Sequence, residues 1–329
     1  MIERAKPTKS GYLNLPDEDA RIYWDYFGEG EKEVCVFMNG LAMLTEGWYT
    51  SIPKVHPEFD VLLFDYRGQG KSTRDDVPYY ISEFANYCAM ILDELKINKV
   101  HTQGVSYGGF IAADFGRLHP DRLHTQTLSG ILLTPELMFQ PWYQNISLSF
   151  YNNALKINEE FFNLYTKYLY EKTFSEKFIR MLTDERIERM RTKFFNNYKD
   201  SIHSIIRLTE AQDPFFDNLR KNGIDGYSEC KVPTLIIAGE HDRAIPVWMQ
   251  EKLLDIYDNS RMYILPETGH LTYFEESDIF WENFLEVARN KSLDYNIKVN
   301  KNLNYLIPGQ RAKYIGVPSN RFRKKHNPK

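Results

Sequence analysis

Residues 100–118 constrain the fold more than any other stretch of the chain. A stretch that reads as a strand, Val100–Val105, ends directly at Ser106, and a helix is expected from Tyr107 to Leu118. Gly104 and Gly108 stand two positions either side of the serine, and Gly109 follows. A chain that passes from strand to helix within one residue must hold that residue in a strained conformation, and its neighbours approach too closely to carry side chains. In a bare loop, G-x-S-x-G is an ordinary glycine turn. Between a strand and a helix it predicts a nucleophile elbow, with the Ser106 Oγ presented above a sheet edge.

The rest of the chain supplies such a sheet. Val34–Met38, Val61–Phe64, Leu123–Leu128, Thr234–Ala238 and Met262–Leu265 read as short buried strands. Helical patterns over Glu83–Leu95, Val247–Tyr257 and Asp278–Ala288 fall between or after them, so the class is α/β with a mainly parallel sheet flanked by helices. Arg21–Phe27 and Val34–Met38, joined by GEGEKE, read as a hairpin leading into a buried strand. The alternation stops between Glu136 and Glu229, where only helical patterns appear. The expected organisation is a core in two parts, 1–135 and 230–290, a helical cap over 136–229, and a C-terminal extension over 291–329.

A serine hydroxyl near neutral pH needs a base. His270, in PETGHLTYFE after the strand Met262–Leu265, stands where a side chain reaches the sheet edge. His241 is its competitor, whereas His56, His119 and His124 fall at turns or helix ends and His326 lies in the tail. The base in turn needs a carboxylate to fix its tautomer. Asp242, in AGEHDRAIP after Thr234–Ala238, fits, with the adjacent Glu240 and the more distant Glu136 as alternatives. The order Ser106, Asp242, His270 is the nucleophile, acid, base order of one architecture. The oxyanion hole is expected from the backbone N–H groups of Tyr107 and of Leu41, the latter in the loop Met38-Asn39-Gly40-Leu41-Ala42-Met43.

On these motifs the chain resembles the α/β-hydrolase superfamily with an inserted cap, over roughly residues 20–290. The stretch Asp65-Tyr66-Arg67-Gly68-Gln69-Gly70-Lys71-Ser72 matches the D-x-R-G-x-G-x-S pattern after the second parallel strand, where its role is structural. One departure stands out. Many relatives carry His-Gly in the oxyanion loop, and this chain has Asn39-Gly40. That loop is similar to the one in rhamnolipid-type 3-hydroxyacyl ester synthases, which keeps acyl transfer open beside hydrolysis.

Composition excludes other classes. A net charge of −4 and 43% hydrophobic residues describe an ordinary globular chain with no global basic field for nucleic acid. The basic tail (Arg311, Lys313, Arg321, Arg323, Lys324, Lys325, Lys329) reads as solvated, with a weak anionic-surface contact as the alternative. Cys35, Cys88 and Cys230 show neither disulfide nor metal spacing, and no cofactor or metal is expected. No apolar run approaches a membrane span, and the polar stretch Met1–Leu13 lacks the core of a secretory signal, so the expected location is cytoplasmic.

The segment from Phe139 to Phe216, including Trp142, Tyr143, Phe150, Tyr151, Phe161, Phe162, Tyr165, Tyr168, Phe194, Phe195 and Phe215, is denser in rings than the chain's 15%. Any single ring is read first as helix packing, but together they give a cap that suits a hydrophobic acyl group. The charged run DERIERMRTK reads as a solvated helix face, with a phosphate or coenzyme A contact as the alternative. The leading expectation is thus a serine hydrolase that cleaves a carboxylic ester of a small-molecule acyl substrate. An acyltransferase or thioesterase using acyl-CoA or acyl carrier protein is the runner-up. A non-catalytic ligand-binding fold is the alternative from another class.

Overall fold

The computed structural model describes residues 4–16, 18–134, 159–198, 202–294 and 304–312. Its frame is one nine-stranded sheet in the order β1-β2-β4-β3-β5-β6-β7-β8-β9. The strands are β1 Lys9–Asn14, β2 Arg21–Phe27, β3 Val34–Met38, β4 Asp60–Phe64, β5 Val100–Val105, β6 Leu123–Ser129, β7 Thr234–Gly239, β8 Ser260–Leu265 and β9 Asn304–Leu306. From β4 through β8 neighbouring strands run parallel, whereas β1, β2 and β9 join antiparallel at the two edges.

All residues of β3, β4, β5 and β7 are buried, because helices cover both faces of the sheet. The period of two along β3 divides its side chains between two cores. Val34, Val36 and Met38 pack with Phe84, Ile91, Ile111 and Phe115 of α2 Ile81–Glu94 and α3 Tyr107–Leu118. Cys35 and Phe37 face the other way, toward Trp48, α1 Ile52–Val55 and the rings of Phe280, Trp281 and Phe284 in a C-terminal helix. The three cysteines are buried and free, and burial pushes the Cys88 thiol well up.

Between β6 and β7 every described element is helical: α4 Glu159–Thr173, α5 Glu176–Met181, α6 Asp184–Tyr198, α7 Ile202–Glu210, α8 Gln212–Asn222 and α9 Asp225–Ser228. Phe215 and Phe216 of α8 bury against Phe110 at ring distances of 5.4 and 5.5 Å, so this block is fastened to α3. In α6, Arg189 pairs with Glu185 and Arg191 with Glu188, as a solvated helix face does. Phe139, Trp142, Tyr143, Phe150, Tyr151 and the alternative acid Glu136 lie outside the described residues, as do the side chains of Phe161, Phe162 and Tyr165. Most of the basic tail lies outside them too; Arg311 pairs with Asp255.

Two local expectations are corrected. Arg21–Phe27 and Val34–Met38 are not hairpin partners: β4 lies between them, and β2 pairs antiparallel with β1 and β4. A strand as apolar as β3 gains most from parallel neighbours on both edges, and residues 28–33, with Gly28 and Gly30 at positive φ, are long enough to step across one strand. The Val247–Tyr257 helix is shorter than its periodicity suggests. It is one turn, α10 Val247–Gln250, tightening into a 3-10 segment over Glu251–Asp255 that brings Leu253 and Leu254 into the core. The chain then closes with α11 Thr272–Glu275 and α12 Ser277–Asn290.

Candidate active site

Parallel strands deliver Ser106, Asp242, His270 and the loop 39–43 to one place, since each lies just beyond the carboxyl end of β5, β7, β8 or β3. Ser106 has φ +54° and ψ −122°, a conformation that L-residues seldom adopt. The glycines around it are required by contact. A Cβ on Gly104 would run into the Gly108 carbonyl, one on Gly108 into the Met38 carbonyl, and one on Gly109 into the Ile131 side chain. The Ser106 N–H is tied to the Ser129 carbonyl of β6 at 2.8 Å.

His270 Nδ1 stands 2.8 Å from Asp242 Oδ2, and both side chains are buried. With the carboxylate as acceptor, the Nδ1–H donates and Nε2 is left as the basic nitrogen. Asp242 is held on all sides. Its Oδ1 accepts from the Ala244 and Ile245 N–H groups at 2.8 Å each, and its Oδ2 accepts a second bond from Gln250 Nε2 at 2.9 Å. The Gln250 Oε1 in turn accepts from the Gly130 N–H at 3.0 Å. Gly130 makes room for the ring: at φ +64°, a Cβ there would lie 2.6 Å from His270 Cε1. The His270 N–H donates to the Thr173 carbonyl at 2.7 Å, which docks the end of α4 onto the same loop.

Ser106, His270, Leu41 and Tyr107 line one cavity of about 470 Å³. Tyr107 is the first residue of α3, so its N–H has no acceptor within the helix. A Cβ on Gly40 would lie 3.9 Å from Ser106 Cβ, so the loop after β3 runs beside the serine. Met43, Phe110, Tyr170, Phe174, Phe194 and Leu271 give the cavity its apolar wall. Lys172 also lines it; burial lowers its pKa to about 8, and the negative charge of Asp242 opposes that shift.

His241, the competing histidine, is about half exposed beside Glu240 and is not part of the cavity lining. Asn39 is fully buried, and its side chain is used up in bracing the fold: Nδ2 donates to the Phe64 carbonyl at 3.0 Å and Oδ1 accepts from Trp48 Nε1 at 2.8 Å. The 65–72 stretch braces the same loop, through the Thr45 N–H on Asp65 Oδ1 and Gln69 Nε2 on the Met43 carbonyl. Gln250, Gly130, Thr173 and Lys172 were not singled out by sequence. Only Gly130 carried a local signal, as the glycine that ends a strand; the others acquire meaning from neighbours distant along the chain.

Among the described residues no group of three or more His, Cys, Asp or Glu could hold a metal ion, and no helix is long and apolar enough to cross a membrane.

Comparison with known proteins gives one outcome at three levels. The alpha/beta hydrolase fold family matches residues 34–277. A 2-hydroxy-6-oxononadienedioate/2-hydroxy-6-oxononatrienedioate hydrolase of Escherichia coli (strain K12) is 25% identical over 300 residues, covering 82% of this chain and 92% of that protein. Among solved structures, an alpha/beta hydrolase enzyme from a Medee basin deep-sea metagenome library superposes with a TM-score of 0.73 at 21% identity, over 87% of this chain and all of the other. The enol-lactonase of Burkholderia xenovorans LB400 does so with a TM-score of 0.68 at 20% identity, over 85% of this chain and all of the other. With its parallel sheet, its strained serine turn and a family match spanning most of its length, the chain belongs to the alpha/beta hydrolase fold family and is a hydrolase.

Proposed function

We propose that the protein cleaves a carboxylic ester of a hydrophobic acyl group through an acyl-enzyme on Ser106, with His270 as base and Asp242 as its orienting acid. One observation carries this reading: His270, bonded to the buried Asp242, lines the same apolar-walled cavity as a serine held at positive φ. The Ser106 Oγ attacks the carbonyl carbon while its proton passes to His270 Nε2. The Leu41 and Tyr107 N–H groups receive the oxyanion, an interaction that contributes about 100- to 1,000-fold in rate. Collapse breaks the acyl–oxygen bond, and the alcohol leaves with the proton from His270. Water, deprotonated by the same imidazole, then releases the acid. Helices α4 to α9, within the segment 136–229, act as a cap over this cavity.

The test is fluorophosphonate labelling of Ser106 together with turnover of p-nitrophenyl esters. Ser106→Ala is expected to abolish labelling and to lower kcat by at least about 10,000-fold. Unchanged turnover by that variant overturns the proposal.

A second reading is favoured by the Escherichia coli relative, whose named substrate is a 6-oxo acid rather than an ester. Attack of Ser106 on such a ketone needs a stabilised carbon leaving group, which His270 protonates as it departs. The same acyl-enzyme serves both readings, so esters and 6-oxo dienoates assayed side by side separate them. Acyl transfer is distinguished by its product, a new ester in place of a free acid. The Asn39 side chain is bonded to Trp48 and to the Phe64 carbonyl and does not line the cavity.

A further inference from the structure

Glu275 lies on α11, outside the cavity lining, five residues beyond His270. Its carboxylate gathers donors from two segments, one six residues before it and one 100 residues before it. Oε1 accepts from the Gly269 N–H at 3.2 Å and the Ser175 N–H at 3.1 Å, and Oε2 accepts from Ser175 Oγ at 2.5 Å. Ser175 is fully buried and also caps α5 by accepting from the Phe178 N–H. The two backbones meet closely: a Cβ on Gly269 would lie 2.5 Å from Ser175 N, 2.6 Å from Glu275 Oε1 and 2.7 Å from the Phe174 carbonyl carbon.

The joint has a second strap, the His270 N–H on the Thr173 carbonyl. Around it Phe274 packs against Phe174 and Phe178, and Lys177 pairs with Glu276 at 3.0 Å. Residues 173–175 are therefore fixed to 269–270 from both sides. Thr173 and Phe174 are also cavity wall, as are Leu169 and Tyr170 one turn earlier.

We infer that Glu275 is a positioning residue for His270: it fastens the α4–α5 corner to the backbone that immediately precedes the base, so that imidazole and cavity wall keep one relative placement. The inference rests on His270 being the base, as proposed above. A carboxylate suits the task because it is acceptor-only and has two oxygens, enough for three donors arriving from two directions. A plain structural brace would, when cut, lower the folded fraction and leave each folded molecule's kinetics alone. A positioning brace lets the imidazole drift from Ser106, and a misplacement of about 1 Å costs on the order of 100-fold.

The experiment compares the full chain with E275A, E275Q and S175A, using active-site titration and Ser106 fluorophosphonate labelling to count competent molecules. E275A is expected to lower kcat per folded molecule by about 10- to 100-fold, with KM changed less than about threefold, and to slow labelling in parallel. E275Q should recover most of the loss, since its amide oxygen still accepts from Gly269 and its NH2 can donate to Ser175 Oγ. S175A, which removes a single donor, should lie between E275A and wild type, and it carries the test if E275A does not fold. Normal kcat and labelling per folded molecule in E275A or S175A overturn the inference alone. A wild-type protein that neither labels at Ser106 nor turns over any ester overturns the reading of the site, and this inference with it.

Discussion

Gly130 and Gln250 show how narrowly the site is set at the level of single side chains. The only space for a Cβ on Gly130 is already filled by the His270 ring, and the residue sits at φ +64°. Gly130→Ala is expected to displace the imidazole and lower kcat by about 100-fold. Steady-state kinetics on protein shown folded by circular dichroism checks this, and a kcat within twofold of wild type would count against His270 as the base. Gln250→Glu tests the charge balance. A new carboxylate beside Asp242, once ionised, stabilises the imidazolium that forms when His270 takes a proton. The acid limb of the kcat/KM profile is therefore expected to move to higher pH than in wild type, and an unchanged limb counts against this coupling. Sequence pointed to Ser106, Asp242 and His270 because each follows a strand in a recognisable stretch. It could not point to Gln250, an ordinary helix residue whose value lies in being 2.9 Å from an aspartate and 3.0 Å from the N–H of Gly130.

Among the elements, the loop after β4 does more than turn the chain. Asp65 receives the Thr45 and Lys71 N–H groups and so holds the loop after β3, on which the oxyanion proposal depends. Burial pushes its carboxyl up to about 6, against the pull of those two N–H donors. Because the folded value lies above the ordinary 3.8, the contribution of Asp65 to stability is present in full below about pH 4 and is lost as pH rises through about 6. Asp65→Asn does not titrate. Its Tm relative to wild type is expected to shift in the variant's favour between about pH 4 and 7, and melting curves over a pH series check this. A constant difference across that range would refute it. The hairpin expected from β2 and β3 failed for an element-scale reason. Local spacing reports that two strands are consecutive, but pairing is decided by which edges are left to be covered, and the place between β2 and β3 went to β4.

At the scale of the whole molecule the cavity decides what can react. A space of about 470 Å³ with an apolar wall can reward acyl length until it is full. Each buried methylene is worth about 0.8 kcal/mol, close to a fourfold gain. The kcat/KM for p-nitrophenyl esters is therefore expected to climb from acetate through butyrate toward octanoate by up to about fourfold per methylene and then to fall. A series that declines from acetate onward would argue against a hydrophobic acyl substrate. The sequence by itself determined the α/β class, the strands from β3 to β8 and the strained serine turn. Those features depend on local periodicity and on glycines that a one-residue strand-to-helix turn requires. Only the tertiary structure decided that β4 lies between β2 and β3, that Asn39 braces the fold rather than facing the cavity, that Gln250 and Gly130 stand against Asp242 and His270, and that Glu275 holds the backbone just before His270. Asn39 meets Phe64 across 25 positions, Glu275 meets Ser175 across 100 and Gln250 meets Gly130 across 120, and no local pattern encodes a meeting that the packing of a whole sheet brings about.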